Sequence, residues 1–288
     1  MKKNWKIYAF TTILFWGIWG ALIELPQESG FPATLGYTVW AITMIPCSIL
    51  ALKLVNWKID IRKKTIANGL FIGLTGAGGQ LILFEALKEG PAYLIFPIVS
   101  LNPAITIILS IIFLKENTNT KKWIAISLAI LATVLLSYQV PTSEQKYNTI
   151  DWLPLTLLTS ILWGAQALVM KSSSQSSNSE NIFLYMTLSG ILLIPIALYM
   201  TDFSSYINWG LKGPYLAGAI QIMNAIGALT LVYSFRYGKA IIVAPTVALA
   251  PVLTIILSLL IHNTIPNWIV TAGLILSTFV IYTLAKED

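Results

Sequence analysis

Cysteine occurs once, as Cys47, and histidine once, as His262, in a chain of 288 residues. A lone cysteine excludes an intrachain disulfide and a thiolate metal site. A lone histidine excludes a histidine-based metal set, and no Gly-x-x-x-x-Gly-Lys-Ser/Thr stretch is present to cradle a nucleotide's phosphates. That speaks against an ATP-driven pump on this chain, and no cofactor or metal is expected. Charge is also scarce: Asp, Glu, Lys and Arg make up 10% of the residues, where a soluble domain carries about 25%. Hydrophobic residues make up 56%, and the mean hydropathy is +0.76. So much apolar surface needs hydrocarbon to cover it. The chain reads as an all-α polytopic membrane protein with the lipid bilayer as its surroundings.

A helix needs about 20 mostly apolar residues to cross the hydrocarbon. Ten such runs are present, near residues 6–23, 35–55, 66–87, 92–114, 122–138, 152–170, 181–200, 214–235, 240–262 and 267–284. They are continuously apolar rather than alternating, which excludes a strand barrel. The first run is read as a permanent helix, because it is long for a signal and no small-x-small cleavage site follows it. His262, at the end of the ninth run, is read as interfacial.

The basic residues fix an orientation. On a ten-helix path with the N-terminus inside, fifteen of the eighteen Lys and Arg fall on the inner face, and only Lys88, Lys146 and Lys212 fall outside. This bias predicts a multi-pass protein of the plasma (inner) membrane with both termini cytoplasmic. It also accounts for the net charge of +6, so no nucleic-acid partner is invoked.

The chain repeats itself. Gly90–Ser110 and Gly238–Ser258 share eleven identities over twenty-one ungapped positions, among them Pro97 with Pro245 and Pro103 with Pro251. Such self-similarity marks an internal duplication. Trp16-Gly17 returns as Trp163-Gly164, so the two units also begin alike. Each unit, 1–140 and 150–288, holds five helices. An odd number turns the second copy upside down, giving two inverted five-helix repeats around a pseudo-two-fold axis in the membrane plane.

In this order and twice over, these features resemble EamA-type members of the drug/metabolite transporter superfamily. The resemblance rests on the two Trp-Gly pairs, on the Ala86–Ala92 turn with its echo Ser234–Ala240, and on Leu101-Asn102-Pro103 with Leu249-Ala250-Pro251, closing on Leu114-Lys115-Glu116. It implies a ten-helix carrier of small metabolites, often an exporter of amino acids or related compounds. It also implies that helices one to four and six to nine ring a central path while five and ten pack outside. The chain departs from the pattern at Thr264, where the second unit lacks the counterpart of Glu116, and around Trp40, where an Arg common in the family is absent.

Polar side chains inside apolar helices point to a cavity, since facing lipid unpaired is costly. The candidates are Gln80, Asn102, Gln166, Gln221 and Asn224, with Thr106 and Thr254. For each amide two readings stand, interhelical hydrogen bonding and ligand hydrogen bonding. Trp16, Trp19 and Trp163 are candidate aromatic walls for a ring or cation, or packing residues. Pro97, Pro103, Pro245 and Pro251 are read as helix bends that free backbone carbonyls. Gly69, Gly73, Gly76, Gly78 and Gly79 let helices approach closely. Glu85 is the deepest acid and a candidate for coupling, although a surface pair with Lys88 is the simpler role. Trp5 and Trp209 read as interface anchors, and Ser172–Ser179 as a flexible polar tether.

The leading function is a secondary carrier, read as an exporter, of a small neutral or zwitterionic metabolite by alternating access at the repeat interface. An uptake permease for a sugar or other metabolite is the alternative, as is a non-transporting subunit or lipid-flipping partner. Peripheral acids and one histidine speak against an enzyme. Monomer and homodimer both remain open.

Overall fold

A computed structural model describes residues 4–90, 92–138, 151–262 and 266–285. Lys2, Lys3, Pro91, Lys146, Thr264 and Lys286 lie outside the described residues, as does the side chain of His262.

The first half runs α1 (Trp5–Leu22), α2 (Glu24–Glu28), α3 (Ala33–Leu54), α4 (Lys63–Glu89), α5 (Ala92–Val99), α6 (Asn102–Leu114) and α7 (Thr120–Leu136). The second runs α8 (Trp152–Ser173), α9 (Ser179–Leu192), α10 (Ile194–Tyr199), a π-helical turn (Leu211–Tyr215), α11 (Leu216–Tyr237), α12 (Ala240–Val247), α13 (Ala250–His262) and α14 (Trp268–Ala285). Lipid leaves backbone groups no solvent to bond, so the helix is the form such runs take. Asn4 and Asn119 start α1 and α7 by accepting the N–H groups of Lys6 and Lys122, at 3.0 and 2.9 Å.

Among the described residues, eight helices are long and apolar enough to cross a membrane. The other two expected spans are shorter: α7 has 17 residues, and the described apolar part of α14 is Trp268–Val280. These two pack against each other.

The prolines act in pairs. Pro97 and Pro245 sit inside α5 and α12, while Pro103 and Pro251 lie in the first turn of α6 and α13, where a missing N–H does no harm. Between the members of each pair the helix breaks, at Ser100–Leu101 and at Ala248–Leu249. The same rule ends α9, with Pro195 in the first turn of α10.

Packing crosses between the halves. Helix α1 lies on α11 and α13, and α8 lies on α4 and α6. Helix α3 runs beside α9, α10 and α11, and α4 runs beside α9. Each half therefore completes the core of the other, and the exchange obeys a two-fold pattern. Trp5 and Trp152 show it at the ends of the bundle: Trp152 fills the space at Gly90, and Trp5, beside Val243, closes the space at Gly238, 148 positions on. Trp5, read from the sequence as an interface anchor, packs against two of the buried clusters. Trp209 is 60% exposed, with only an edge contact to Phe31. Trp209→Ala should therefore shift the melting temperature in detergent by less than Trp5→Ala.

Candidate functional site

Four residues mark the middle of the bundle. Gly76 and Asn224 are the central residues of two 27-residue spans, Lys63–Glu89 and Leu211–Tyr237. Trp16 and Trp163 stand at the centre of Trp5–Glu28 and Trp152–Ser173. The structure brings them together crosswise. The Trp163 indole N–H donates to the Gly76 carbonyl at 3.1 Å, and the Trp16 indole N–H donates to the Asn224 carbonyl at 3.3 Å. Each ring lies where a Cβ would stand on a glycine one turn away: Trp163 against Gly79, Trp16 against Gly227.

Hydroxyls repeat the exchange. Thr254 donates to the Gly17 carbonyl at 3.1 Å, and Thr106 makes the matching contact to Gly164 at 3.5 Å. Thr12 reaches the Gly227 carbonyl, as Thr159 reaches that of Gly79. These are two copies of one helix–helix seam, α1 on α11 and α8 on α4, with small residues admitting large ones.

The copies differ at Trp19 and Gln166. Trp19 donates to Gln221 Oε1 at 3.0 Å. At the matching place Gln166 donates instead to the Ile72 carbonyl at 3.1 Å, its amide lying against Gly76. Asn102 donates to the Val99 carbonyl at 3.0 Å, across the break between α5 and α6. Thus Trp16, Trp19, Trp163, Asn102, Gln166 and Gln221 are all engaged within the protein.

Gln80 and Asn224 are different. Their carboxamides make no hydrogen bond among the described residues, and both residues are half-buried. Exposure on α4 to the outside runs through Ala67, Phe71 and Leu74, and on α11 through Ala219 and Ile222. With 3.6 residues per turn, Gln80 and Asn224 lie on the opposite sides of those helices. Their exposure therefore opens between helices. Trp40 shares this property, since the outer face of α3 is Ile42, Ile45 and Ile49. Its indole N–H is buried and has no acceptor.

Glu85 stands apart from this centre. It accepts a bond from Lys88 at 3.0 Å, with side chains 43% and 49% exposed. Such a pair is worth at most about 1 kcal/mol, so Glu85→Gln should leave the melting temperature in detergent nearly unchanged. The groove between α1 and α13, about 330 Å³, is also distinct: Phe10, Leu14, Leu253 and Ile256 line it and its wall is apolar, as suits lipid rather than a polar solute.

At one rim the structure holds groups that sequence reasoning missed. The loop before α4 carries Asp60 and Arg62, joined through both carboxylate oxygens at 2.9 and 3.0 Å. The hydrogen-bonded Arg62 guanidinium, with the Arg62 N–H and the Thr65 hydroxyl adding to it, holds the Asp60 carboxyl well below the usual carboxylate range. The pair stays charged through neutral pH, and its contribution falls away only as acid protonates Asp60. Glu180, 7% exposed, accepts the Tyr233 hydroxyl at 2.6 Å, and Arg236 stands 3.7 Å from its other oxygen. Tyr8 of the first half stacks on Tyr233 and Tyr237. Glu116 accepts the Ile241 N–H at 3.1 Å, so the acid that closes α6 caps α12 of the other half. The tether reading of Ser172–Ser179 is corrected here: Ser173 ends α8, Ser179 begins α9, and both are buried together with Ser174 and Ser177 of the short turn between them.

A duplicated helical bundle with crossed seams and proline-broken helices is the architecture of a multi-pass membrane protein. The family model of the EamA-like transporter family matches residues 3–138 and again 151–285. The chain belongs to that family, within the drug/metabolite transporter superfamily. An uncharacterized protein of Methanocaldococcus jannaschii is 31% identical over 131 residues, which are 46% of this chain and 94% of that protein. A stretch of about half this chain thus matches nearly all of a separate protein. An uncharacterized transporter of Archaeoglobus fulgidus is 26% identical over 68% of this chain and 66% of its own length. The protein LicB of Haemophilus influenzae is 25% identical over 85% of this chain and 82% of its own. A solved crystal structure matches with a TM-score of 0.79 at 16% identity, covering 98% of this chain and 96% of the other, and shows the same fold.

Proposed function

We propose that the protein is a secondary carrier, working as an exporter, of a small neutral or zwitterionic metabolite such as an amino acid or related compound. The observation that carries this reading is the pair of unengaged carboxamides, Gln80 and Asn224, opening between helices at and just beyond mid-span. Carboxamides donate and accept, so they suit a polar solute without fixing its charge. Trp16, Trp19, Trp163 and Gln166 would wall the site and hold its shape. Alternating access uses the inverted halves: rocking one against the other exposes the centre to each side in turn.

The rim holding Lys53, Lys58, Arg62, Lys115, Arg236 and Lys239 is taken as cytoplasmic, in the plasma membrane. Comparing metabolites in the medium of cells with and without the gene identifies the solute. Liposomes containing the purified protein should then show saturable counterflow of that solute. Counterflow no faster than from empty liposomes overturns the carrier reading.

A further inference from the structure

The two rims are closed by different chemistry. At the rim opposite the basic one, the halves meet through neutral contacts: Thr201 donates to Thr34 at 2.7 Å, Asn208 bonds the carbonyls of Ser29 and Gly30, and Phe31 meets Trp209 edge-on. At the basic rim the loop before α4 docks on the serine turn between α8 and α9. Arg62, held by Asp60, donates to the Ser176 carbonyl at 2.6 Å. Thr65 meets the Ser177 hydroxyl at 2.7 Å. Asn181, fully buried, accepts the Asp60 N–H at 2.8 Å and donates to the Lys58 carbonyl at 3.2 Å. The Tyr185 hydroxyl donates to the Asp60 carbonyl at 2.9 Å. Lys239 adds a bond to the Asn117 carbonyl at 2.7 Å, beside the Glu116 cap.

Every one of these bonds joins one half to the other. Charge-assisted bonds are about twice as strong as neutral ones, and the duplication does not reproduce the set at the opposite rim. The counterpart there is Asn208, in the loop before α11, docked on Ser29 and Gly30 between α2 and α3, a neutral side chain in place of Arg62.

We infer that the Asp60–Arg62 loop and the serine turn Ser174–Asn181 form a lock that holds the basic rim shut, so that the resting carrier is closed to the cytoplasm. This rests on the carrier reading above for its meaning but not for its test. A lock must be undone in each cycle, and its strength sets the share of molecules open to the cytoplasm. Asp60 and Arg62 act by position: they touch no solute, and they keep the loop seated on the turn.

The test needs no solute. In a Cys47→Ala background, Ser48→Cys provides one thiol, buried on α3 at 4% exposure, on the basic-rim side of its middle. Everted vesicles are treated with a membrane-impermeant maleimide, and right-side-out vesicles serve as the other arm. Labelling should be slow from both sides in the parent. Asp60→Asn and Arg62→Gln should each raise the rate from the cytoplasmic side about tenfold, the change expected for loss of a charge-assisted bond, and leave the external rate unchanged. Arg62→Lys, which keeps the charge but loses the fork, should fall between. Unchanged cytoplasmic labelling in both variants overturns the lock, and so does an equal rise from both sides, which reports general loosening. Failure of counterflow with lock-dependent labelling intact would remove the carrier reading and leave the lock standing.

Discussion

Gly227→Ala should destabilise the protein by about 2–3 kcal/mol, read as a fall in the thermal or denaturant midpoint in detergent. The added Cβ would lie 2.3 Å from Trp16 Cδ1 and 2.4 Å from its Nε1. An indole is rigid, so the ring must move as a whole, and with it goes the bond to the Asn224 carbonyl at 3.3 Å. Gly79→Ala should act in the same way through Trp163, at 2.7 Å from Nε1, with a smaller effect because the approach is less close. Trp16→Phe removes the N–H and part of the ring, so the double variant with Gly227→Ala should lose less than the two single losses added together. Strict additivity would show that the ring and the glycine are not in contact.

Asn224→Ala should leave folding intact and reduce counterflow of the transported solute about tenfold, as expected for loss of one ligand hydrogen bond in a site that keeps its shape. The carboxamide has no partner to strand among the described residues, so its removal leaves none of them unsatisfied. Gln80→Ala should behave likewise, and the two together should approach a hundredfold loss if they contact the solute independently. The engaged amides give the contrast. Gln221→Ala strands the Trp19 indole N–H, so its cost should appear in the melting temperature as well as in transport. A melting temperature that falls equally in Asn224→Ala and Gln221→Ala would place Asn224 among the structural amides.

Much of this architecture could be read from the sequence because membrane folding leaves local signs. Apolar runs between basic residues located the helices to within a few residues. The prolines at 97, 103, 245 and 251 flank the breaks, Pro97 and Pro245 within the helix before each one and Pro103 and Pro251 in the first turn after it. The duplication was legible because its copies align without a gap.

The partners were not legible. Trp16 meets Asn224 across 208 positions, and Arg62 meets Ser176 across 114. Composition carries no register at such distances, so Trp16 read equally well as a wall or as packing, and Gln166 as bonding a ligand or a neighbouring helix. The serine turn was misjudged for the same reason: small polar residues suggest a mobile linker until a distant loop supplies partners that bury them. One signal did exist. Crosswise inspection of the repeats sets Gly76 against Asn224 and Ala228 against Gln80, and a polar residue facing a small one across a duplication is where the copies have diverged.

The account depends on the halves being inverted, and labelling at matched helix ends tests that most directly. Lys88 and Lys239 are exposed at corresponding ends of the repeats, beside Gly90 and Gly238. In the Cys47→Ala protein, Lys88→Cys should react with an impermeant maleimide only from outside the cell, and Lys239→Cys only from the cytoplasmic side. Reaction of both from the same side would contradict the inverted arrangement and the alternating site built upon it.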